Sequence, residues 1–233
     1  MSLILCIETG TDVCSVGLAE NGQLVALRES CGRDHARNVA VYVDELLREN
    51  GVAAEELSAI AVGMGPGSYT GLRIGVSFAK GLCYGLQIPL VAVGSLDALA
   101  AVAIEDNEAG ILDVENWDDA ILCPMVDARR MEVYTRLFNA KGEPQSEVSA
   151  EIVTEESFAE WRKEKQLVIF GNGAAKCQEV LPDATYINIT PSARGLARLA
   201  EKSLQEGKTE DIAYFEPFYL KDFVVIPSKK KLL

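Results

Sequence analysis

Gly63-Met64-Gly65-Pro66-Gly67-Ser68-Tyr69-Thr70-Gly71-Leu72-Arg73-Ile74-Gly75 sets five glycines and a proline between an apolar strand and a run of helical spacing. Glycine admits positive φ and lets other groups come close to the backbone, and Ser68 and Thr70 stand where a hydroxyl caps a helix. A strand, a glycine turn and a helix N-terminus together make a generic anion-binding turn. The spelling is not a Walker A loop, because no Lys-Ser or Lys-Thr pair follows the last glycine, and it is not GxGxxG. An ATPase P-loop is therefore not expected.

Outward from this loop the chain alternates. Leu3 to Glu8, Cys14 to Ala19 and Leu24 to Glu29 read as three strands, the last two joined by an Asn21-Gly22 hairpin turn. Val39, Tyr42, Val43, Leu46 and Leu47 recur at helical spacing from His35 to Asn50, and Gly51 stops that helix. Ile60 to Met64 is the next strand and Leu72 to Leu86 the next helix; Leu90 to Val93 follows as a strand, and Ser95 is expected to cap a third helix reaching Ile104. The acidic stretch from Glu105 to Asp119 has the weakest pattern and marks an expected boundary. Beyond it, Ile121 to Val126, Glu132 to Phe138, Val148 to Val153, Leu167 to Phe170 and Tyr186 to Ile189 read as strands. Helices are expected at Glu155 to Lys163, after Gly173, and from Ser192 to Gln205. The second half echoes the first. The expected fold is α/β, two similar subdomains with mixed sheets flanked by helices, divided as residues 1–105 and 106–233, the C-terminal tail packing back on the first.

Composition narrows the function. The 233 residues hold 22 Lys and Arg against 35 Asp and Glu, a net charge of −13. That balance disfavours autonomous binding to a phosphate backbone, whose affinity comes from cations neutralising phosphates. Six cysteines without a CxxC pair read as small buried hydrophobes of a reducing compartment. His35 is the one histidine, so no two-histidine metal motif exists in this sequence. No segment has the length of a membrane span, and a cytoplasmic protein is expected.

The motifs carry a more specific resemblance. Ile7-Glu8-Thr9-Gly10-Thr11 is similar to the first phosphate hairpin of the actin, sugar-kinase and Hsp70 superfamily. Val126-Asp127-Ala128-Arg129-Arg130 stands where the second would fall, and Ile169-Phe170-Gly171-Asn172-Gly173-Ala174 is similar to its adenosine loop. Taken with the Gly65 to Gly75 segment, Asp127 to Tyr134 and His35 at a helix start, the chain resembles the TsaB (YeaZ) family over nearly its whole length. The resemblance implies a non-catalytic accessory subunit for N6-threonylcarbamoyladenosine modification of tRNA. Its implied partners are a TsaD-like catalytic subunit and a TsaE-like ATPase, with a homodimer when alone and tRNA reached only through the complex. It implies no cofactor or metal of its own, a nucleotide at a complex interface being the exception. An ATP-dependent phosphotransferase of sugar-kinase type and a glycoprotease-like metallopeptidase stand as alternatives, the second opposed by the single histidine.

The expected sites follow. Gly71, Gly75, Ala79 and Cys83 fall four apart on the second helix, and Ser77, Gly81 and Gly85 do so on another face. Small residues at that spacing let another helix approach, and each helical glycine needs a compensating contact. One face is assigned to the chain's own core and one to a partner. The expected partner interface comprises His35, Val39, Val43, Leu46, Gly75, Ala79 and Leu82. Thr9, Gly10, Thr11, Gly171 and Gly173 are the candidates for a degenerate nucleotide pocket. Glu8 stands where the family has aspartate and is expected to cap its turn or face solvent; Arg129 and Arg130 are expected in ion pairs, and Arg73 is expected to reach a carboxylate or a partner. No catalytic residue is assigned, and Lys229 to Lys231 read as a solvated end.

Overall fold

The computed structural model describes residues 1–32 and 34–221, so the lysine-rich end lies outside the described residues. β1 (Leu3–Glu8), β2 (Val13–Glu20) and β3 (Gln23–Cys31) form an antiparallel meander. Its hairpin turns at Asn21 and Gly22, with φ of 49° and 79°, the left-handed pair that a two-residue turn requires. β4 (Ala59–Gly63) and β5 (Leu90–Val93) add in parallel, giving the order β3-β2-β1-β4-β5. Between these strands run α1 (His35–Glu49) and α2 (Tyr69–Leu86), and after β5 comes α3 (Ser95–Glu108).

The second sheet repeats this plan. β6 (Ile121–Asp127) is central; β7 (Glu132–Thr135) and β9 (Ser149–Ile152) extend it antiparallel on one side, with the short β8 (Phe138–Asn139) pairing β6. On the other side β10 (Leu167–Phe170) and β11 (Thr185–Tyr186) are parallel, so β9-β7-β6-β10-β11 mirrors the first order strand for strand. The chain therefore has two mixed sheets flanked by helices.

Both central strands are buried on two faces, which is why they read as continuous apolar runs. Leu5 and Ile7 point to a core with Val39, Val43 and Leu46 of α1 and Val76, Ala79 and Cys83 of α2. Ile4 and Cys6 point the other way, to Ala98, Ala193, Leu196 and Ala197. In the second sheet Leu122 and Val126 meet Leu96, Leu99 and Val102 of α3, whereas Cys123 and Met125 meet Cys177 and Leu181. α3 thus serves both sheets.

Helices are shorter in the second half than the sequence suggests. α4 spans only Ala159–Glu164, and the segment after Gly173 makes a 3-10 turn, Ala175–Cys177, instead of an α-helix. Pro182 closes that segment after eight residues, too few for helix propagation to offset its nucleation. The helix expected from Ser192 divides into a 3-10 turn, Ala193–Leu196, and α5 (Ala197–Gln205), which lies on the first sheet. The tract that follows also returns to the first sheet: Glu210 bridges Leu90 at the β5 edge, and Ile212 and Phe215 pack on the α1–α2 core.

Candidate functional site

Three loops and one helix face carry the expected chemistry. In the first loop Glu8 is fully enclosed, 1% exposed, and does not face solvent. Its Oε1 accepts the Gly10 N–H at 2.6 Å, and its Oε2 accepts the Ser95 hydroxyl at 2.9 Å. Ser95 in turn accepts the Gly65 N–H at 3.2 Å, so it links two glycine turns. The cap of α3 is Gly94, which corrects the expectation that Ser95 fills that position; its hydroxyl is committed to Glu8. Burial raises the Glu8 pKa, opposed by the hydrogen bonds and by the nearby His35.

The rest of this turn is engaged within the chain. The Thr9 hydroxyl donates to Gly71 O at 2.8 Å, Gly10 O accepts the Ser68 N–H at 2.6 Å, and the Thr11 hydroxyl accepts the Val13 N–H at 3.2 Å. His35 is buried and its Nε2 donates to Thr11 O at 2.7 Å, while its Nδ1 has no hydrogen-bond partner among the described residues. A side chain on Gly63 would collide with the Glu8 carboxylate, and one on Gly67 would collide with Gly10 O. Thr9, Gly10 and Thr11 therefore fasten the starts of α1 and α2 to β1. The chain's own carboxylate occupies the Gly10 N–H that a phosphate would seek.

The second group sits at the end of β6. Gly171 has φ of 101° and Gly173 donates its N–H to Met125 O at 2.9 Å, so these glycines press the loop against the strand. Asn172 Oδ1 accepts the Asp127 N–H at 3.1 Å, and Lys176 pairs with Asp127. Among the described residues no hydrogen bond joins this group to Thr9, Gly10 or Thr11. Arg129 and Arg130 are exposed, with φ of 70° and 53°, and among the described residues neither forms an ion pair. The expected pairing is corrected: Lys176 and Lys221 take the adjacent carboxylates, Asp127 and Glu132.

The helix face divides cleanly. A side chain on Gly71 or Gly75 would collide with Thr9, and Ala79 and Cys83 are fully buried. His35, Val39, Val43 and Leu46 are likewise buried, and only Leu82 of the expected interface set is half-exposed. These residues build the core under the face instead of presenting it. The outer face is made by Ser77, Gly81 and Gly85, all exposed, and among the described residues a Cβ at Gly81 or Gly85 would meet nothing within 4 Å. Tyr84, 74% exposed, stands beside them.

At the N-terminal end of this face Tyr69, Thr70, Arg73, Ile74 and Ser77 line an open hollow of about 360 Å³. Among the described residues Arg73 reaches no carboxylate; it lies 5.1 Å over the Tyr69 ring and hydrogen-bonds its hydroxyl at 3.2 Å. The tract after α5 is fastened beside this end of α2: Tyr219 contacts Tyr69 at 4.9 Å between centroids, Phe218 N donates to Met64 O at 2.8 Å, and Lys80 Nζ donates to Phe215 O at 2.9 Å. Individual residues of this strap were not singled out from the sequence, although Ile212 and Phe215 stand as apolar positions beyond the last helix.

Chemical groups able to attack or bind a metal are scarce. Burial pushes the Cys6 and Cys123 thiols up to about 12, and Cys31 is the exposed cysteine. Among the described residues no three His, Cys, Asp or Glu side chains converge as metal ligands. Among them, too, no helix is long and apolar enough to cross a membrane.

Comparison with known proteins places this geometry. A family model described as TsaD, tRNA N6-adenosine threonylcarbamoyltransferase, matches residues 28–226. The Bacillus subtilis tRNA threonylcarbamoyladenosine biosynthesis protein TsaB is 30% identical over 230 residues, covering 94% of this chain and 93% of the relative. The chain belongs to the TsaB family. The Escherichia coli TsaB protein is 29% identical over 97% of this chain and 99% of its own length. The solved structure of YeaZ from Pseudomonas aeruginosa superposes with a TM-score of 0.77 at 30% identity, covering 94% of this chain and all of that one. In this TsaB-family chain the two mixed sheets are thus the family's actin-like fold, and the Ser77-Gly81-Gly85 face is a surface feature built upon it.

Proposed function

We propose that this chain is the non-catalytic accessory subunit of an assembly that forms N6-threonylcarbamoyladenosine on tRNA, holding a TsaD-like catalytic subunit against the outer face of α2. The observation that carries the reading is the exposed Ser77-Gly81-Gly85 stripe, where a Cβ added to either helical glycine meets nothing within 4 Å among the described residues. Helical glycine costs about 0.5–1 kcal/mol relative to alanine, and close packing of a second helix offsets that cost. Family membership and the lone histidine support the division of labour, because this sequence has no second imidazole for a two-histidine metal site. A TsaE-like ATPase completes the assembly, and the same face pairs two copies when the catalytic subunit is absent. A nucleotide, where one is bound, sits at an interface between subunits, since the Gly10 N–H and Thr9 hydroxyl are engaged internally.

Analytical ultracentrifugation of the chain with and without a TsaD-like subunit tests this. The wild type is expected to co-sediment with the subunit and raise its transfer activity; Gly81→Arg is expected to abolish both while remaining folded. Failure of the wild-type chain to associate with the subunit or to alter its transfer rate overturns the reading.

A further inference from the structure

The β6–β7 turn is built at odds with its own backbone. Arg129 and Arg130 both hold left-handed φ, 70° and 53°, where glycine sits without steric cost and asparagine is tolerated better than other side chains. Ala128 N donates to Glu132 O at 3.1 Å and closes the turn, and Arg129 N donates to Asp127 Oδ1 at 3.1 Å, so hydrogen bonds hold the turn in this form. Among the described residues neither guanidinium donates a hydrogen bond, pairs with an acid or lies over a ring. Two arginines without a partner among the described residues, held in left-handed backbone in a chain of net charge −13, gain nothing from those residues to offset that conformation.

Their surroundings have the composition of a contact surface. Met131 follows them, 36% exposed, and Ile152, 67% exposed, lies across the ladder from Glu132. β9, which carries Ile152, is the edge strand of the second sheet. Arginine and methionine are enriched at protein interfaces, and arginine at their energetic centres. This patch lies on the second sheet, beside Glu132, which pairs with Lys221 at the end of the strap that crosses Tyr69.

We infer that the Arg129-Arg130 turn, with Met131 and Ile152, is a second protein-docking surface whose partner presents carboxylates to the two guanidinium forks. Arginine binds carboxylate through two parallel hydrogen bonds. Such a contact acts within a Debye length, about 8 Å at physiological salt, so it operates despite the overall negative charge. An RNA backbone is the weaker fit, because it draws affinity from many cations spread along its track and is repelled at range by this chain. Only the choice of probes rests on the accessory-subunit reading.

The test measures binding of the full chain to three probes: a TsaD-like subunit, a TsaE-like ATPase and tRNA. Arg129→Asn/Arg130→Gly removes the forks and the strain together; Arg129→Glu/Arg130→Glu keeps the strain and reverses the charge. Both are expected to weaken binding to one of the two proteins by about tenfold or more, an effect that shrinks at high salt, with tRNA binding unchanged. Arg129→Asn/Arg130→Gly is expected to raise Tm by a few degrees, showing that the loss is not a folding defect. Wild-type affinity of both variants for both proteins, or a loss confined to tRNA, overturns the docking surface alone. Binding of the wild-type chain to neither protein overturns the accessory-subunit reading and the docking surface together.

Discussion

Glu8 turns a phosphate-type hairpin into a structural joint. One methylene longer than aspartate, its carboxylate reaches both the Gly10 N–H and the Ser95 hydroxyl and closes the space under Gly63. Because burial raises its folded pKa above the ordinary 4.5, the native state binds the extra proton between those values. The stability this contributes is present below about 4.5 and lost as pH rises through the folded pKa. Glu8→Gln removes that dependence, so its Tm is expected to gain on the wild type as pH rises from about 4.5; parallel Tm–pH curves by calorimetry would refute the assignment. Cysteine makes a second prediction at this scale. With the other five thiols buried, Cys31 alone is expected to react with a thiol reagent in the native chain, and the rest only on unfolding.

At the scale of elements, α2 carries two glycine pairs with opposite environments. Gly71→Ala and Gly75→Ala drive a methyl into Thr9 and are expected to destabilise the chain by about 1–3 kcal/mol each. Gly81→Ala and Gly85→Ala meet open space and are expected to stabilise it by roughly 0.5–1 kcal/mol each. Urea denaturation separates the two classes, and equal effects would refute the division. Ser68 is one of the two hydroxyls read as caps and accepts the Gly71 N–H at 3.3 Å, three residues on, but α2 begins at Tyr69, three residues before the expected Leu72. Which small face turned inward was not legible, because Gly-Gly-Ala-Cys and Ser-Gly-Gly have the same spacing and size. The His35, Val39, Val43 and Leu46 stripe was readable as amphipathic, but periodicity alone does not tell a core from a contact.

Across the whole molecule two sheets of matching order share α3, and the 3-10 turn Ala193–Leu196 lies directly on it. A side chain on Gly195 would collide with Ala98 O, so Gly195→Ala is expected to separate that turn from α3 and cost about 2 kcal/mol or more, read as a fall in the denaturation midpoint. An unchanged midpoint would show that this packing does not hold the two halves. The strap after α5 acts over the same range, running from the β5 edge past Met64 to Tyr69, and then pairing Lys221 with Glu132.

The sequence by itself determined the alternation of strands and helices, the hairpin at Asn21-Gly22, the absence of a second histidine and the motifs of the TsaB family. Each is a short-range pattern or a count, written in neighbouring residues. Only the tertiary structure decided that Glu8 is buried, that Arg129 and Arg130 lack partners among the described residues, and that Ser77, Gly81 and Gly85 form the open face. Those outcomes depend on groups far apart in the chain, as with Ser95 and Glu8, 87 residues from each other. Side-chain spacing along one element carries no information about what the fold brings to meet it.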